Sequence, residues 1–274
     1  MVRSNIASSA RLLVAACTLA GCSADSLVAT PSIDARPGLQ SPQLAVSSRT
    51  PLLFTTLDNA VAVMAPTYGA GAGAQISAAP ANNSFTPGRH GNALLADADG
   101  EAVRYPQVVN GVQNIELEQG TMSFWYRPNY DHDDDIKYTI AGTGLWRSTR
   151  PVGSLHFGKH NRSNGNALFL IFYDANSVRW EHQVLTSDYS WKAGTWQHVV
   201  ITWDFNAAAG ERNLHLYVND RELPLTHQVS RGPQPVPAEK SSEQIYIGSR
   251  GFGHIGANGL YDDFRIFDAV KAPN

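Results

Sequence analysis

The chain alternates between short apolar runs and turn-forming residues from Leu52 to its end. Residues 121–127, 198–204 and 213–219 place an apolar side chain at about every second position, which is the period of a strand with one buried face. Residues 167–173 are apolar on both parities, which is typical of a central strand. The pattern predicts an all-β domain, because no segment shows a sustained 3.6-residue apolar period with helix caps. A two-sheet antiparallel sandwich is the architecture that best buries this many strands.

Composition supports a folded domain and removes one class of partner. Hydrophobic residues make up 43% of the chain, which is ample for a buried core. The formal net charge is −3, and Lys and Arg do not cluster along the sequence. The sequence therefore predicts no nucleic-acid partner and no polybasic membrane patch.

The amino terminus has the parts of a secretory signal. Arg3 and Arg11 supply a positive region, and the apolar run 12–20 is too short to span a bilayer. The segment ends in Leu-Ala-Gly-Cys at 19–22, which resembles the lipobox of bacterial lipoproteins. The resemblance implies that residues 1–21 are removed and that Cys22 becomes an acylated first residue. An ordinary signal peptide with a chance cysteine is the alternative.

Three regions are expected along the chain. After the signal peptide, residues 22–49 form the acylated cysteine and a tether rich in Ser, Ala, Pro, Thr and Gln, which cannot bury enough apolar surface to fold. Residues 50–274 form the β-sandwich domain. Because no Asp follows Cys22, the resemblance to lipoproteins implies an exported protein at the outer membrane or cell surface, held to the membrane through its lipid.

Several strand segments resemble the laminin G-like, concanavalin A-like lectin/glucanase superfamily. They include the pattern W-x-H-V-x-x-T-W-D at 196–204 and the pattern L-x-L-Y-V-N at 214–219. The other segments that carry the likeness lie at 88–95, 120–127, 245–249 and 259–268. The resemblance covers about residues 52–271 and implies a jelly-roll sandwich of antiparallel sheets, one of them concave.

Four aromatic side chains are candidates for stacking on a sugar ring, whose apolar faces suit aromatic platforms. They are Tyr126, Tyr173, His215 and Tyr217. The alternative is that these rings simply pack the sandwich. A register error of one residue would move each of these side chains to the opposite face of its sheet.

Catalytic signals are weak. Glycosidases on the implied fold carry a Glu-x-Asp-x-x-Glu strand, and no such motif occurs here. Glu116 and Glu118 share one strand face and are expected to be solvated. No Gly-x-Ser-x-Gly elbow is present, although a Ser-His-Asp triad remains open, and His198 is expected to be structural.

The resemblance also implies a structural calcium ion. Many members of the superfamily hold one near an Asp in the first strand and an Asp in a late strand, and the matching positions are Asp58 and Asp262. Asp262 shares strand parity with Phe264, so it is expected to face the core, where an ion would neutralise it. A hydrogen-bond network or a nearby Arg is the alternative, and Asn59 replaces the glycine usual in the family. The acidic loop 131–135 is expected to be solvated.

The sequence favours a surface lipoprotein with a non-catalytic domain that binds a polysaccharide or another glycan, or mediates adhesion. One alternative is a glycoside hydrolase or lyase on the same fold. The other is a component of the cell envelope that binds a protein of that envelope.

Overall fold

The protein is described by a computed structural model, and most of the domain lies within its described residues. These are 50–76, 84–98, 101–144, 153–208, 212–226, 236–239, 243–249 and 256–272. The predicted signal peptide, Cys22 and the predicted tether lie outside them.

Eight strands of the described residues form the first sheet. They are β1 (Leu53–Thr55), β3 (Ser84–Pro87), β4 (Asn92–Ala96), β8 (Gln119–Pro128), β13 (Gln197–Asp204), β14 (Leu214–Val218), β15 (Arg221–Leu223) and β17 (Gly259–Phe267). Their spatial order is β15-β14-β13-β8-β17-β4-β3, with β1 also paired to β17, and every pairing is antiparallel.

Seven further strands in the described part of the chain form the second sheet. They are β2 (Ala74–Ile76), β5 (Ala102–Pro106), β9 (Tyr138–Thr143), β10 (Leu155–Lys159), β11 (Leu168–Tyr173), β12 (Arg179–Val184) and β16 (Gln244–Gly248). Their order is β12-β11-β10-β9-β16-β5-β2, again with antiparallel pairing throughout. The remaining elements are a two-stranded ribbon of β6 (Val108–Val109) and β7 (Val112–Gln113), the helix α1 (Ala60–Met64) and a 3₁₀ turn (Arg162–Asn164).

The core lies between the two sheets and is built from the alternation seen in the sequence. Val199, Ile201 and Trp203 of β13 are buried in it, as the period-two pattern predicts. Leu214 and Leu216 of β14 join them from the neighbouring strand. The all-β jelly-roll sandwich predicted from the sequence is confirmed.

Strand β11 is buried on both of its faces, which confirms the prediction for residues 167–173. Leu168, Leu170 and Phe172 point into the main core. Phe169, Ile171 and Tyr173 form a separate buried cluster on the opposite side of the second sheet.

A β-bulge in β17 changes the direction of two acidic side chains. Asp262 pairs with Trp125 and Arg265 pairs with Ser123, so β17 has one extra residue between these pairs. Asp263 sits in the bulge with a left-handed φ of 52°. The bulge breaks the parity that links Asp262 to Phe264, and the expectation that Asp262 faces the core was therefore wrong.

Among the described residues, no helix is long and apolar enough to cross a membrane.

Candidate functional site

Tyr126 belongs to the core and cannot stack on a ligand. Its side chain is 0% exposed, and its hydroxyl donates to the Ala257 carbonyl at 2.5 Å and lies 3.1 Å from the Tyr130 hydroxyl. Burial raises the pKa of Tyr126 far above its ordinary value. The prediction that Tyr126 binds ligand is wrong, because Tyr126 pairs with Tyr261 and Gln197 on the inward parity of β8.

The other three predicted aromatic residues do not form one site. Tyr173 is buried on the outer side of the second sheet and is only 4% exposed, so its ring offers no free face. His215 and Tyr217 stand together on the outer face of the first sheet, with nearly parallel rings 6.2 Å apart. His215 Nδ1 lies 2.8 Å from Glu222 Oε1. The sandwich therefore separates Tyr173 from the His215–Tyr217 pair, and this set cannot act as one sugar platform.

Asp58 and Asp262 both bind the turn between β3 and β4. The Asn92 N–H donates to Asp58 Oδ1 at 2.7 Å, and the N–H groups of Arg89 and His90 both donate to Asp262 Oδ2 at 2.8 Å. The turn covers Asp262 on the outer face of the sheet, which explains why this carboxylate is 0% exposed. The hydrogen-bond alternative for Asp262 is thus present in the structure.

His90 of the same turn and two carboxylates of β17 form a group of possible metal ligands. His90, Asp262 and Asp263 each place one ligand atom within 4.8 Å of the others, and Asp58 is not part of this group. Asp262 Oδ1 is buried and has no hydrogen-bond partner, and burial raises the pKa of this carboxyl group. A hard cation here would be held by the carboxylates of Asp262 and Asp263. It would compete with His90 and Arg265, which lie 2.9 and 3.4 Å from Asp263 Oδ2. Asn59 caps α1 by accepting from the Ala62 N–H, so its departure from the family pattern has a separate structural role.

The acidic loop 131–135 packs against the side-chain ammonium of Lys159. The ammonium of Lys159 is buried and donates to the carbonyl groups of Asp134, Ile136 and His160. Burial lowers the pKa of Lys159. The oxygen atoms that could attract calcium in this loop are thereby partly engaged by a side chain of the same domain.

A Ser–His–Asp chain of contacts lies on the outer face of the first sheet. Ser123 Oγ is 3.0 Å from His198 Nε2, and His198 Nδ1 is 3.3 Å from Asp220 Oδ1. The ring of His198 stacks on Trp125 at 4.8 Å, and the guanidinium of Arg89 lies 3.8 Å from the same indole ring. This connectivity matches the order of a nucleophilic serine triad, with the serine on Nε2 and the carboxylate on Nδ1.

A cleft of about 230 Å³ opens where the loop between β12 and β13 meets the turn between β14 and β15. Its lining combines apolar and polar side chains. The lining residues are Tyr189, Ser190, Trp191, Gln197, Val218, Asn219, Arg221 and Leu223. Pockets for drug-sized ligands span roughly 300–1,000 Å³. The cleft therefore suits one small ring better than a large cofactor.

Aromatic packing fixes the floor of this cleft. Trp191 is 1% exposed and makes edge-to-face contacts with Tyr189 and Tyr126 at 5.4 and 5.9 Å. The Tyr189 hydroxyl donates to the Asn166 carbonyl at 2.6 Å, and burial raises the pKa of Tyr189. These contacts attach the loop to the core, so the floor is rigid.

Two amides fix the wall of the cleft. Asn219 Nδ2 donates to Gln197 Oε1 at 2.8 Å, and Asn219 Oδ1 accepts from the His198 N–H at 2.9 Å. Gln197 Nε2 donates in turn to the Thr195 carbonyl. Asn219 and Asp220 adopt left-handed φ values of 52° and 64°, which gives the tight turn that Asn-Asp predicts. The wall is therefore held by side-chain bonds to rigid strands.

Sequence reasoning missed this cleft because its residues come from a loop and a turn, which have no periodicity. The one available signal was the Asn219-Asp220 turn directly after β14. Its position opposite Trp191 depends on the tertiary fold. A smaller hollow of about 160 Å³ beside His215 was also not foreseen as a pocket.

The two antiparallel sheets, their order and the cleft at one end define the class of the protein, an all-β jelly-roll sandwich. A model of the concanavalin A-like lectin/glucanases superfamily, Laminin_G_3, matches residues 99–274. The chain belongs to this superfamily. No curated protein matches the chain.

Solved structures with a similar fold include three binding domains of botulinum neurotoxins. The serotype D domain aligns with a TM-score of 0.53 and 16% identity over 81% of this chain and 48% of that chain. The serotype G domain gives 0.55 and 16% over 81% and 49%. The DC domain in complex with SialylT gives 0.55 and 17% over 81% and 48%. This chain spans about half of each, and at these identities the likeness shows the fold alone.

Proposed function

We propose that the domain is a lectin-like module that binds a glycan in the cleft between Trp191 and Arg221, and that an acyl group on Cys22 holds it at the outer membrane or cell surface. The cleft carries the proposal. It joins an apolar floor, whose accessible part comes mainly from the half-buried Val218 because Tyr189 and Trp191 are only 4% and 1% exposed, to the exposed Ser190 hydroxyl and the Arg221 guanidinium. These groups can contact the apolar face and the hydroxyl groups of a sugar.

Two further features support a binding role. The cleft residues are fixed before any ligand arrives, because Asn219, Gln197 and Tyr189 are already tied to the strands and loops around them. A site that is ordered in advance loses less conformational entropy on binding. Glycan binders also occur in the superfamily to which the chain belongs, although that fold hosts several functions.

A steric block tests the site without disturbing the core. Ser190 is exposed at the rim of the cleft, and Ser187 is exposed in the same loop but does not line it. On a glycan array, we expect the labelled full-length protein to bind at least one glycan. Ser190→Trp should abolish that signal, and Ser187→Trp should keep it. Equal binding by all three proteins would move the site elsewhere, and no binding to any glycan would favour the protein-partner alternative.

A structural cation accompanies this proposal. Calcium would be held by the carboxylates of Asp262 and Asp263 beside the turn 88–92, and Asp58 would support the same turn from its other side. The ion would supply charge neutralisation for a buried carboxylate and no chemistry of a reaction.

Hydrolysis is a second candidate function, because Ser123, His198 and Asp220 have the connectivity of a serine triad. In such a site Ser123 Oγ would attack an ester carbonyl while His198 Nε2 accepts its proton, and the ester C–O bond would break as His198 returns that proton to the leaving alcohol. Water, deprotonated by His198, would then attack the acyl-serine and release the acid and free Ser123. A fluorophosphonate probe should then label the wild type and leave Ser123→Ala unlabelled, with Ser187→Ala as the control. An unlabelled wild type would exclude a reactive serine at this position.

A further inference from the structure

The cleft has an unbalanced charge. Arg221 is the single charged residue in its lining, and no Asp or Glu side chain is part of that lining within the described residues. Arg221 is exposed, and one of its Nη atoms donates to the Asp188 carbonyl at 2.5 Å. This bond fixes the guanidinium beside the cleft and does not neutralise it, because the acceptor is a neutral carbonyl group.

The carboxylates on either side of Arg221 in the chain point away from the cleft. Arg221 pairs with Val218, another lining residue, whereas Glu222 pairs with Tyr217 on the outer face. Glu222 lies 2.8 Å from His215 Nδ1, and Asp220 lies 3.3 Å from His198 Nδ1. The strand and its turn thus separate the charges, with the negative groups on the outer face and the positive group at the cleft.

The hydrogen-bonding capacity left in the cleft is mainly that of donors. The Gln197 and Asn219 amides are committed to each other and to backbone groups. A guanidinium has five N–H donors and no acceptor, so Arg221 keeps several donors after its bond to Asp188. A ligand complementary to this lining must bring acceptor oxygen atoms, and a carboxylate matches the fork of a guanidinium with two parallel hydrogen bonds.

We infer that the cleft selects an acidic sugar, a uronic or sialic acid residue, whose carboxylate pairs with Arg221. The inference rests on the proposed glycan-binding function and names the ligand class of the same cleft. Neutral sugars offer Arg221 only hydroxyl oxygen atoms, which form weaker hydrogen bonds with a guanidinium than a carboxylate does, so they bind more weakly.

Matched ligands separate charge from shape. We would measure binding of the full-length protein to polygalacturonate and to its methyl-esterified form, and to N-acetylneuraminate and its methyl ester. Esterification keeps the ring and removes the negative charge. We expect at least one acid to bind about 10-fold or more tightly than its ester, with an affinity that falls as salt is raised.

Matched variants assign the effect to one residue. Arg221→Gln should lower affinity for the preferred acid about 10-fold, whereas Arg212→Gln should leave it unchanged. Arg212 is a suitable control because it is exposed and pairs with Glu222 on the outer face. The inference is wrong if neither acid exceeds its ester, or if both Arg variants bind like the wild type. If the array still shows binding to neutral glycans in that case, the proposed glycan-binding function stands and only the preference for acidic sugars is wrong. If the array shows binding to no glycan, the proposed function and the inference are both wrong.

Discussion

Glu181 on β12 is a carboxylate whose partners hold its pKa well below the ordinary value. His160 Nε2 lies 2.6 Å from its Oε1, Gln183 Nε2 donates at 3.0 Å, and Arg179 forms an ion pair with it. The hydrogen bond to His160 lowers the pKa of Glu181 to about 2, and the other partners contribute. Its charged form is therefore stabilised in the folded state relative to the unfolded state.

This decrease predicts a pH dependence of stability. The contribution of Glu181 is fully present above its ordinary pKa of 4.5 and is lost as pH falls toward 2. In urea unfolding, the stability advantage of the wild type over Glu181→Gln should shrink as the pH falls from about 4.5 toward 2. Glu222→Gln, which alters a more exposed pair with His215, should cost less. A stability difference for Glu181→Gln that does not change with pH would contradict this assignment.

Tyr126 gives a second test at the residue scale, because burial and binding predict opposite results. Tyr126→Phe removes a buried hydroxyl that donates to the Ala257 carbonyl. It should lower the free energy of unfolding by about 1–2 kcal/mol and leave glycan binding unchanged. The matched change Tyr217→Phe, on the half-buried outer face, should cost less than about 0.5 kcal/mol. A loss of binding in Tyr126→Phe without a loss of stability would restore its role in a ligand site.

At the scale of the elements, alternation predicts the central strands well and the bulge not at all. Strand β13 sends Val199, Ile201 and Trp203 into the main core, and β14 sends Leu214 and Leu216, so their apolar period is visible in the sequence. The extra residue in β17 leaves no such trace, because Asp262 and Asp263 are polar in either register. The direction of Asp262 depends on the turn 88–92, which approaches it from 172 residues away in the chain. Long-range contacts of this kind are absent from a local pattern.

The turn 88–92 carries the prediction about calcium. If a cation is held by Asp262 and Asp263, calcium should raise the melting temperature of the wild type and a chelator should lower it. Asp262→Asn should lose this response, because an amide is a weaker ligand for calcium. Asp220→Asn, on the outer face beside His198, should keep it. A wild-type protein that contains no metal and does not respond to chelator would exclude the ion and leave the hydrogen bonds to Arg89 and His90 as the full account.

At the scale of the whole molecule, the sequence predicts the fold class but not the position of the candidate site. The fold class follows from periodicity and turn residues that are spread over the whole domain, so one wrongly assigned strand does not change the prediction. The cleft requires two distant segments, 189–191 and 218–223, to meet. The four aromatic residues proposed from the sequence failed as a set because Tyr126 and Tyr173 are buried. Aromatic composition alone does not distinguish a core ring from a platform.

The membrane anchor is a prediction about the whole protein and rests on the lipobox-like segment 19–22. Cys22→Ser should abolish labelling by a fatty-acid probe and move the protein from the membrane fraction to the soluble fraction. Cys17→Ser should change neither result, because Cys17 would be removed with the signal peptide. A wild-type protein that takes up no lipid, with a Cys22→Ser variant that stays with the membrane, would show that the segment has another role.

The central claim is that the domain binds a glycan in the cleft without cleaving it. The most direct test is affinity electrophoresis of the full-length protein in gels containing a polysaccharide that the array identifies, together with the chain length of the polymer after incubation. The account predicts that the wild type is retarded, that Ser190→Trp migrates as in an empty gel, and that the polymer keeps its length. Release of reducing ends or of unsaturated sugars, or equal retardation of Ser190→Trp, would contradict it.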